Sequence, residues 1–308
     1  MCSDLPKVLH EVCGRPMLGH VLSACRLAGM DRLVAVVGHG KDLVMERFAA
    51  ERDVTWVEQA EQNGTGHAVA CCRESLRGLR GSVVVVAGDM PLIRRETVVE
   101  LLEHRERTGD ALSLATTILD DPMGYGRIVR DGTGQLEAII EERDCTGQQR
   151  AIREVNPSYY CFDSQRLWEA LEALRPAPDT HELYLTDSVK VLRAGGHTVS
   201  VALTVPPEEA MGINARLDLA RAARAMEDRI QLELLSAGVS IVDPDNTWIE
   251  ADVSIGRDTI IYPFSYVGAG ATIGEGSRIG PYAWVQAGER LGEGVVVQRN
   301  AGSGVAMP

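Results

Sequence analysis

Asp89 directly follows an apolar run, in SVVVVAGDMPLI, residues 82–93. A carboxylate at the carboxyl end of a buried strand stands where an open α/β sheet places its ligands. There it can hold a divalent cation, or cap the turn before a helix that starts near Arg94. Lys7, in SDLPKVLH, has few apolar neighbours, which suits a point charge for phosphate as well as a solvated surface lysine. The run Gln59-Ala60-Glu61-Gln62-Asn63-Gly64-Thr65-Gly66-His67 offers amides able to read a base edge and flexible glycines at a helix N-terminus. A capped turn would use the same residues, and His67 reads as packed or capping. Gly126, between Tyr125 and Arg127, would let backbone approach a sugar or simply make a β-turn. Glu141, Asn156 and Thr186 are polar residues in or beside apolar segments, suited to polar work or to satisfying a nearby backbone group. Asn214 opens a helix, where an N-cap needs no ligand. Facing Asp89, its amide oxygen would help to complete a Mg²⁺ shell with phosphate oxygens.

The elements that must position these residues follow from the apolar pattern. Residues 82–87 read as a strand buried on both faces. Before it come a helix from Pro16 to Gly29, a strand from Arg32 to Val37 and a helix from Lys41 to about Glu51. A strand from Val54 to Val57 and a helix from Ala68 to Leu76 follow. Strand alternating with helix at this spacing predicts a parallel sheet covered on both faces. Further on, strands are expected at 112–119, 126–129, 136–142, 155–162 and 198–203. A helix capped by Ser164 runs through Leu174, another spans 183–192, and a long amphipathic helix spans 213–237.

After Gly238 the pattern changes. Ile249, Ile255, Ile261, Val267, Ile273, Ile279, Val285, Leu291 and Val297 recur at every sixth position. Glycine follows at 256, 268, 274, 280 and 292, and compact residues stand two places ahead in most repeats, as at Val253, Thr259, Ser265, Ala271, Ser277 and Ala283. This is a hexapeptide β-helix, about eighteen residues to a coil and about three coils long. The repeat decays after Val297, so the last coil is expected to lack a proper cap.

The 308 residues carry a formal net charge of -13, which argues against nonspecific nucleic-acid binding but not against a nucleotide met locally by a lysine, backbone amides and Mg²⁺. The seven cysteines show no metal-ligand spacing and read as buried thiols of a reducing compartment. No apolar run is long enough to span a membrane, and the first residues show no signal-peptide core, so a cytoplasmic protein without membrane insertion is expected.

Taken together, SDLPKVLH (3–10), QAEQNGTGHA (59–68), GDMPLI (88–93), DDPMGYGRI (120–128), EERD (141–144), LYLTD (183–187) and GINARLDL (212–219), followed by hexapeptides, resemble a known family. It is the bacterial bifunctional N-acetylglucosamine-1-phosphate uridylyltransferase/glucosamine-1-phosphate acetyltransferase family. The resemblance covers residues 2 to about 294. It implies an α/β nucleotidyltransferase domain (Rossmann-like, mixed sheet; 1–210), a linker helix (211–238) and a short left-handed parallel β-helix (239–308) that forms a homotrimer. It also implies transfer of uridylyl from UTP to N-acetylglucosamine 1-phosphate, giving pyrophosphate and UDP-N-acetylglucosamine for cell-wall precursors. On that resemblance Gln59, Gly64 and Thr65 would hold uracil, and Ala87, Gly88 and Asp89 would meet the ribose and metal region. Lys7 would neutralise nucleotide phosphate, Gly126, Glu141 and Asn156 would line the sugar and diphosphate side, and Thr186 would also bind substrate. Asn214 would reach the sugar and diphosphate and, with Asp89, hold Mg²⁺. Lys7 and Asp89 are the residues expected to carry the chemistry.

Three departures stand beside the resemblance. The family opens with a buried strand and a loop of the form L-A-A-G-x-G-T-R-M, and Met1 falls where its methionine would. A start upstream, or a fragment, is therefore expected. The segment Val155-Asn156-Pro157-Ser158-Tyr159-Tyr160 replaces the usual N-T-G, and Pro157 removes a backbone donor. Gln286 stands where an arginine is expected, and no later lysine or histidine follows, so no acetyltransferase activity is expected. Two other readings fit the residues: a sugar-1-phosphate nucleotidyltransferase of different sugar or base preference, and a non-catalytic protein that binds sugar nucleotide or only trimerises.

Overall fold

The structure, a computed structural model, describes residues 1–298 and divides into two compact units. The first comprises Met1–Leu9 and Met17–Asn214; the second comprises His10–Pro16 and the chain from Ala215 onward. The division thus falls at 214/215 rather than at 210, and a short stretch near the N-terminus belongs with the β-helix.

In the first unit a seven-stranded mixed sheet runs in the order Ser82–Val85, Tyr160–Asp163, Leu112–Ile118, Glu154–Asn156, Gly126–Arg130, Leu136–Ile140. Val199–Thr204 lies parallel to Leu112–Ile118. The expected parallel pairing holds for Leu33–Val37 with Val54–Glu58, which form a separate two-stranded sheet. Ser82–Val85 instead pairs antiparallel with Tyr160–Asp163, a strand from much later in the chain. Val84 and Val85 pack on separate core clusters, so both faces of Ser82–Val85 meet the core as expected, but the burial is incomplete. Val83 is buried, whereas Val84 and Val85 are half-buried.

The main core of this unit is built from the expected apolar runs. Leu112, Leu114, Phe162, Leu167 and Val189 are fully buried, and Val34, Val36, Val57 and Val85 pack on the same cluster. Each fully buried side chain of this kind contributes about 1.5–3 kcal/mol. Several boundaries differ from expectation. The strand expected over 155–162 is broken in two, because Pro157 has no N–H to give and Ser158 takes a left-handed backbone (φ 61°). Asp163 rather than Ser164 caps the next helix, its carboxylate accepting the Gln165 and Arg166 N–H groups at 3.0 Å each. The helix expected over 183–192 is a 3₁₀ turn, Leu185–Asp187, followed by Ser188–Ala194.

In the second unit, strands of two residues stack in parallel with an offset of eighteen: Trp248 on Tyr266 on Trp284, and Ser254 on Thr272 on Arg290. Three such faces make a parallel β-helix. Ile249, Ile261, Val267 and Ile279 point inward with no exposure. The compact positions are buried too, apart from the half-buried Val253, and the Thr259 and Ser277 hydroxyls donate to the Gly274 carbonyl at 3.0 and 2.9 Å. At position 256 glycine is required, because a Cβ there would lie 2.5 Å from the Glu275 nitrogen of the next coil. Leu291 and Val297 are only half-buried, whereas their counterparts in earlier coils are buried. The tail expected to leave this end uncapped lies outside the described residues.

The long helix runs Arg216–Ser236. Beside it in this unit is a hairpin that the sequence pattern does not announce, Glu11–Val12 paired with Arg15–Pro16. Cys13 and Gly14 both take positive φ (47° and 74°), the geometry of a tight two-residue turn. Ala251 donates its N–H to the Cys13 carbonyl at 2.9 Å, and Arg15 pairs with Asp252 at 2.7 Å. Val12 is fully buried.

Candidate active site

Three separated segments meet at Lys7. Its ammonium lies 2.5 Å from Asp89 Oδ2 and 2.6 Å from Asn214 Oδ1. Lys7 is held by a single 3₁₀ turn, Lys7–Leu9, and Asp89 follows the half-buried Ala87 and Gly88 beyond the strand Ser82–Val85. Asp89 does not cap the following helix. That helix, Arg95–Thr108, receives at its start the buried Glu209 carboxylate, which accepts from the Arg94 N–H at 3.1 Å and from the Thr97 hydroxyl. Nor is Asn214 an N-cap. The cap position of helix Arg216–Ser236 is Ala215, whose N–H goes to the Asp218 carboxylate at 2.8 Å. Neither side chain caps these two helices, and both face one ammonium group.

This arrangement tests the fit of a divalent cation. A carboxylate and an amide oxygen already converge on a single positively charged nitrogen, and both are hard oxygen donors of the kind Mg²⁺ takes. The residues fit. Among the described residues no group of three His, Cys, Asp or Glu side chains could hold a metal. A cation at Asp89 and Asn214 would therefore complete its shell from phosphate oxygens and water.

A second group gathers around the glycine-rich turn. Gln59 donates its amide to the Gly64 carbonyl at 3.0 Å and lies 3.1 Å from His67 Nδ1. The helix begins at Thr65, earlier than expected, and its N-cap Gly64 has φ 95°. The segment Leu183–Thr186 lies against this turn. Leu183 gives its N–H to the Asn63 carbonyl at 2.8 Å and takes the Gly66 N–H at 2.7 Å. Leu185 N–H donates to Thr65 Oγ1 at 3.0 Å, and Thr186 donates its hydroxyl to Glu141 Oε1 at 2.8 Å. One short segment thus joins Gln59, Gly64 and Thr65 to Thr186 and Glu141. Burial pushes the Glu141 carboxyl above its usual range, and the Thr186 hydroxyl acts in the opposite sense. Glu141 and Thr186 line a cavity of about 520 Å³ with Ile139, Leu174, Tyr184 and Lys190.

Gly126 and Asn156 form a third group, directly opposite each other in neighbouring strands. Packing requires glycine at 126, since a Cβ there would lie 2.9 Å from Ile139 Cγ2. The buried Asn156 side chain donates to the Tyr160 hydroxyl at 2.6 Å and accepts the Ser158 N–H at 3.0 Å, so it holds the bend that replaces the usual N-T-G. Sequence reasoning missed Leu183, Glu209 and the hydroxyls of Tyr125 and Tyr159. Their roles run through backbone groups of irregular segments, which leave no apolar period to read.

Residues 1–186 match the model of the MobA-like NTP transferase domain, and residues 252–287 match the bacterial transferase hexapeptide (six repeats). The chain belongs to the MobA-like NTP transferase domain family. It is homologous to bacterial proteins named bifunctional protein GlmU. It is 44% identical over 261 residues to that of Clostridium botulinum (strain Eklund 17B / Type B), an alignment covering 85% of this chain and 57% of the relative. The relatives from Trichlorobacter lovleyi and Geobacillus thermodenitrificans are each 44% identical over 263 residues, with the same coverage of both chains. The chain therefore spans little more than half the length of these relatives.

Proposed function

We propose that the chain binds a uridine nucleotide and a sugar phosphate and transfers uridylyl from UTP to N-acetylglucosamine 1-phosphate. The observation that carries this reading is the convergence of Lys7, Asp89 and Asn214 at the end of the sheet. A phosphate oxygen of the sugar 1-phosphate attacks the α-phosphorus of UTP, a new P–O bond forms, and the bond to pyrophosphate breaks. No protein nucleophile takes part; the rate comes from alignment and charge stabilisation. Mg²⁺ held by Asp89 and Asn214 would supply positive charge to the phosphates. Lys7 neutralises the nucleotide phosphates, Gln59, Gly64 and Thr65 hold the base, and Ala87 and Gly88 leave room for the ribose. Gly126, Glu141, Asn156 and Thr186 shape the sugar side. In this reading the protein works in the cytoplasm on cell-wall precursors, and the hexapeptide unit joins three copies.

Calorimetric titration of the chain with UDP-N-acetylglucosamine and Mg²⁺, repeated with Asp89→Asn, tests the proposal. Micromolar binding that weakens in the variant is the expected result. Absence of binding by the folded chain would overturn it.

A further inference from the structure

The chain from Val205 to Asn214 has no helix or strand of its own, yet it brings Asn214 to the ammonium that also holds Asp89. Such a segment must take its hydrogen-bond partners from its surroundings. Tyr159 donates its hydroxyl to the Glu209 carbonyl at 2.8 Å, and Ile213 gives its N–H to the Asp89 carbonyl at 3.2 Å. Between these anchors stands Tyr125. Its hydroxyl donates to the Ala210 carbonyl and accepts from the Gly212 N–H, both at 3.1 Å. One phenol oxygen thereby bridges backbone groups two residues apart and fixes the path two residues before Asn214. The same residue precedes Gly126, which faces Asn156 on the sugar side.

The geometry points to Tyr125 as a positioning residue that sets Asn214 against Asp89 and ties the sugar-side strand Gly126–Arg130 to the cation ligands. The inference rests on the function proposed above for its ligand, but not for its structural part. The tyrosine ring packs on the cluster of Val21, Met90, Ile93 and Ala210, so Tyr125→Phe keeps the packing and removes only the bridging hydroxyl.

Two measurements test it. Hydrogen exchange of the ligand-free protein should be at least about tenfold faster at Gly212 and Ile213 in Tyr125→Phe, with Leu112–Ile118 unchanged. Equal exchange in variant and wild type would overturn the positioning role, whatever the chain binds. In titrations with UDP-N-acetylglucosamine, Tyr125→Phe should lower the apparent Mg²⁺ affinity by about tenfold and leave the Mg²⁺-free affinity unchanged. In an Asn214→Ala background the same substitution should add nothing. Additive losses, or equal losses with and without Mg²⁺, would overturn the link to the cation ligands. A wild type that binds no sugar nucleotide would overturn the proposed function and with it that link, while the exchange measurement still decides the positioning.

Discussion

The Lys7 ammonium bridges Asp89 and Asn214, residues 82 and 207 positions away in the chain. In the proposed function, a divalent cation bound by the same two oxygens would displace it and free Lys7 for a nucleotide phosphate. Lys7→Met is therefore expected to tighten binding of Mn²⁺ without nucleotide by about tenfold, because both a competing charge and an occupant are removed. Free Mn²⁺ followed by electron paramagnetic resonance checks this, and an unchanged affinity would refute it.

Gly64 and Gly88 should respond differently to alanine. At Gly64 a Cβ would lie 2.5 Å from the Leu183 carbonyl oxygen, on a backbone with φ 95°. Gly64→Ala should push Leu183–Thr186 off the turn and lower the melting temperature. At Gly88 the nearest atom to a new Cβ is Leu18 Cδ1 at 3.4 Å, an ordinary contact. Gly88→Ala should keep the fold and weaken nucleotide binding. Melting curves beside titrations separate the two outcomes.

Glu227 in the second unit has no solvent exposure, and burial pushes its carboxyl up to about 7. It accepts from Gln231 at 3.0 Å and from Arg224 at 3.1 Å. In the unfolded chain it ionises near the ordinary glutamate value of about 4.3. The folded state therefore binds the proton more tightly. The resulting stabilisation is complete below about pH 4, declines as pH rises and is gone above about pH 7. Thermal unfolding of Glu227→Gln should lack this part of the slope between about pH 4 and pH 7. Parallel pH profiles for variant and wild type would contradict it.

Ile261 is fully buried in the β-helix, with Ile241 and Ile279 above and below it in register. Ile261→Ala should cost about 2–5 kcal/mol. Denaturant unfolding followed by near-ultraviolet signals from Trp248 and Trp284 measures it.

Much of this was legible because it depends on period or on strand ends. The hexapeptide phase placed each inward side chain, and the apolar run before Gly88 placed Asp89. Asn214 was named, but whether it capped a helix depended on Asp218 and on where Ala215 sits. The break at Pro157-Ser158 hides inside an apolar stretch that reads as one strand. The path from Val205 to Asn214 is set by hydroxyls of tyrosines 50 and 85–87 positions away, which no local pattern encodes.

The hairpin Glu11–Val12/Arg15–Pro16 lies in the second unit, although Lys7, four residues before it begins, lies in the first. The units are consequently not modular cassettes: the chain leaves the first at Leu9, returns at Met17 and leaves again after Asn214. A recombinant piece that stops at Asn214 would still carry Val12 and Cys13, with Cys13 severed from the Ala223 and Ala251 backbone groups that hold it. Transplanting this β-helix onto another enzyme would need a graft at two sites, one of them only a few residues long.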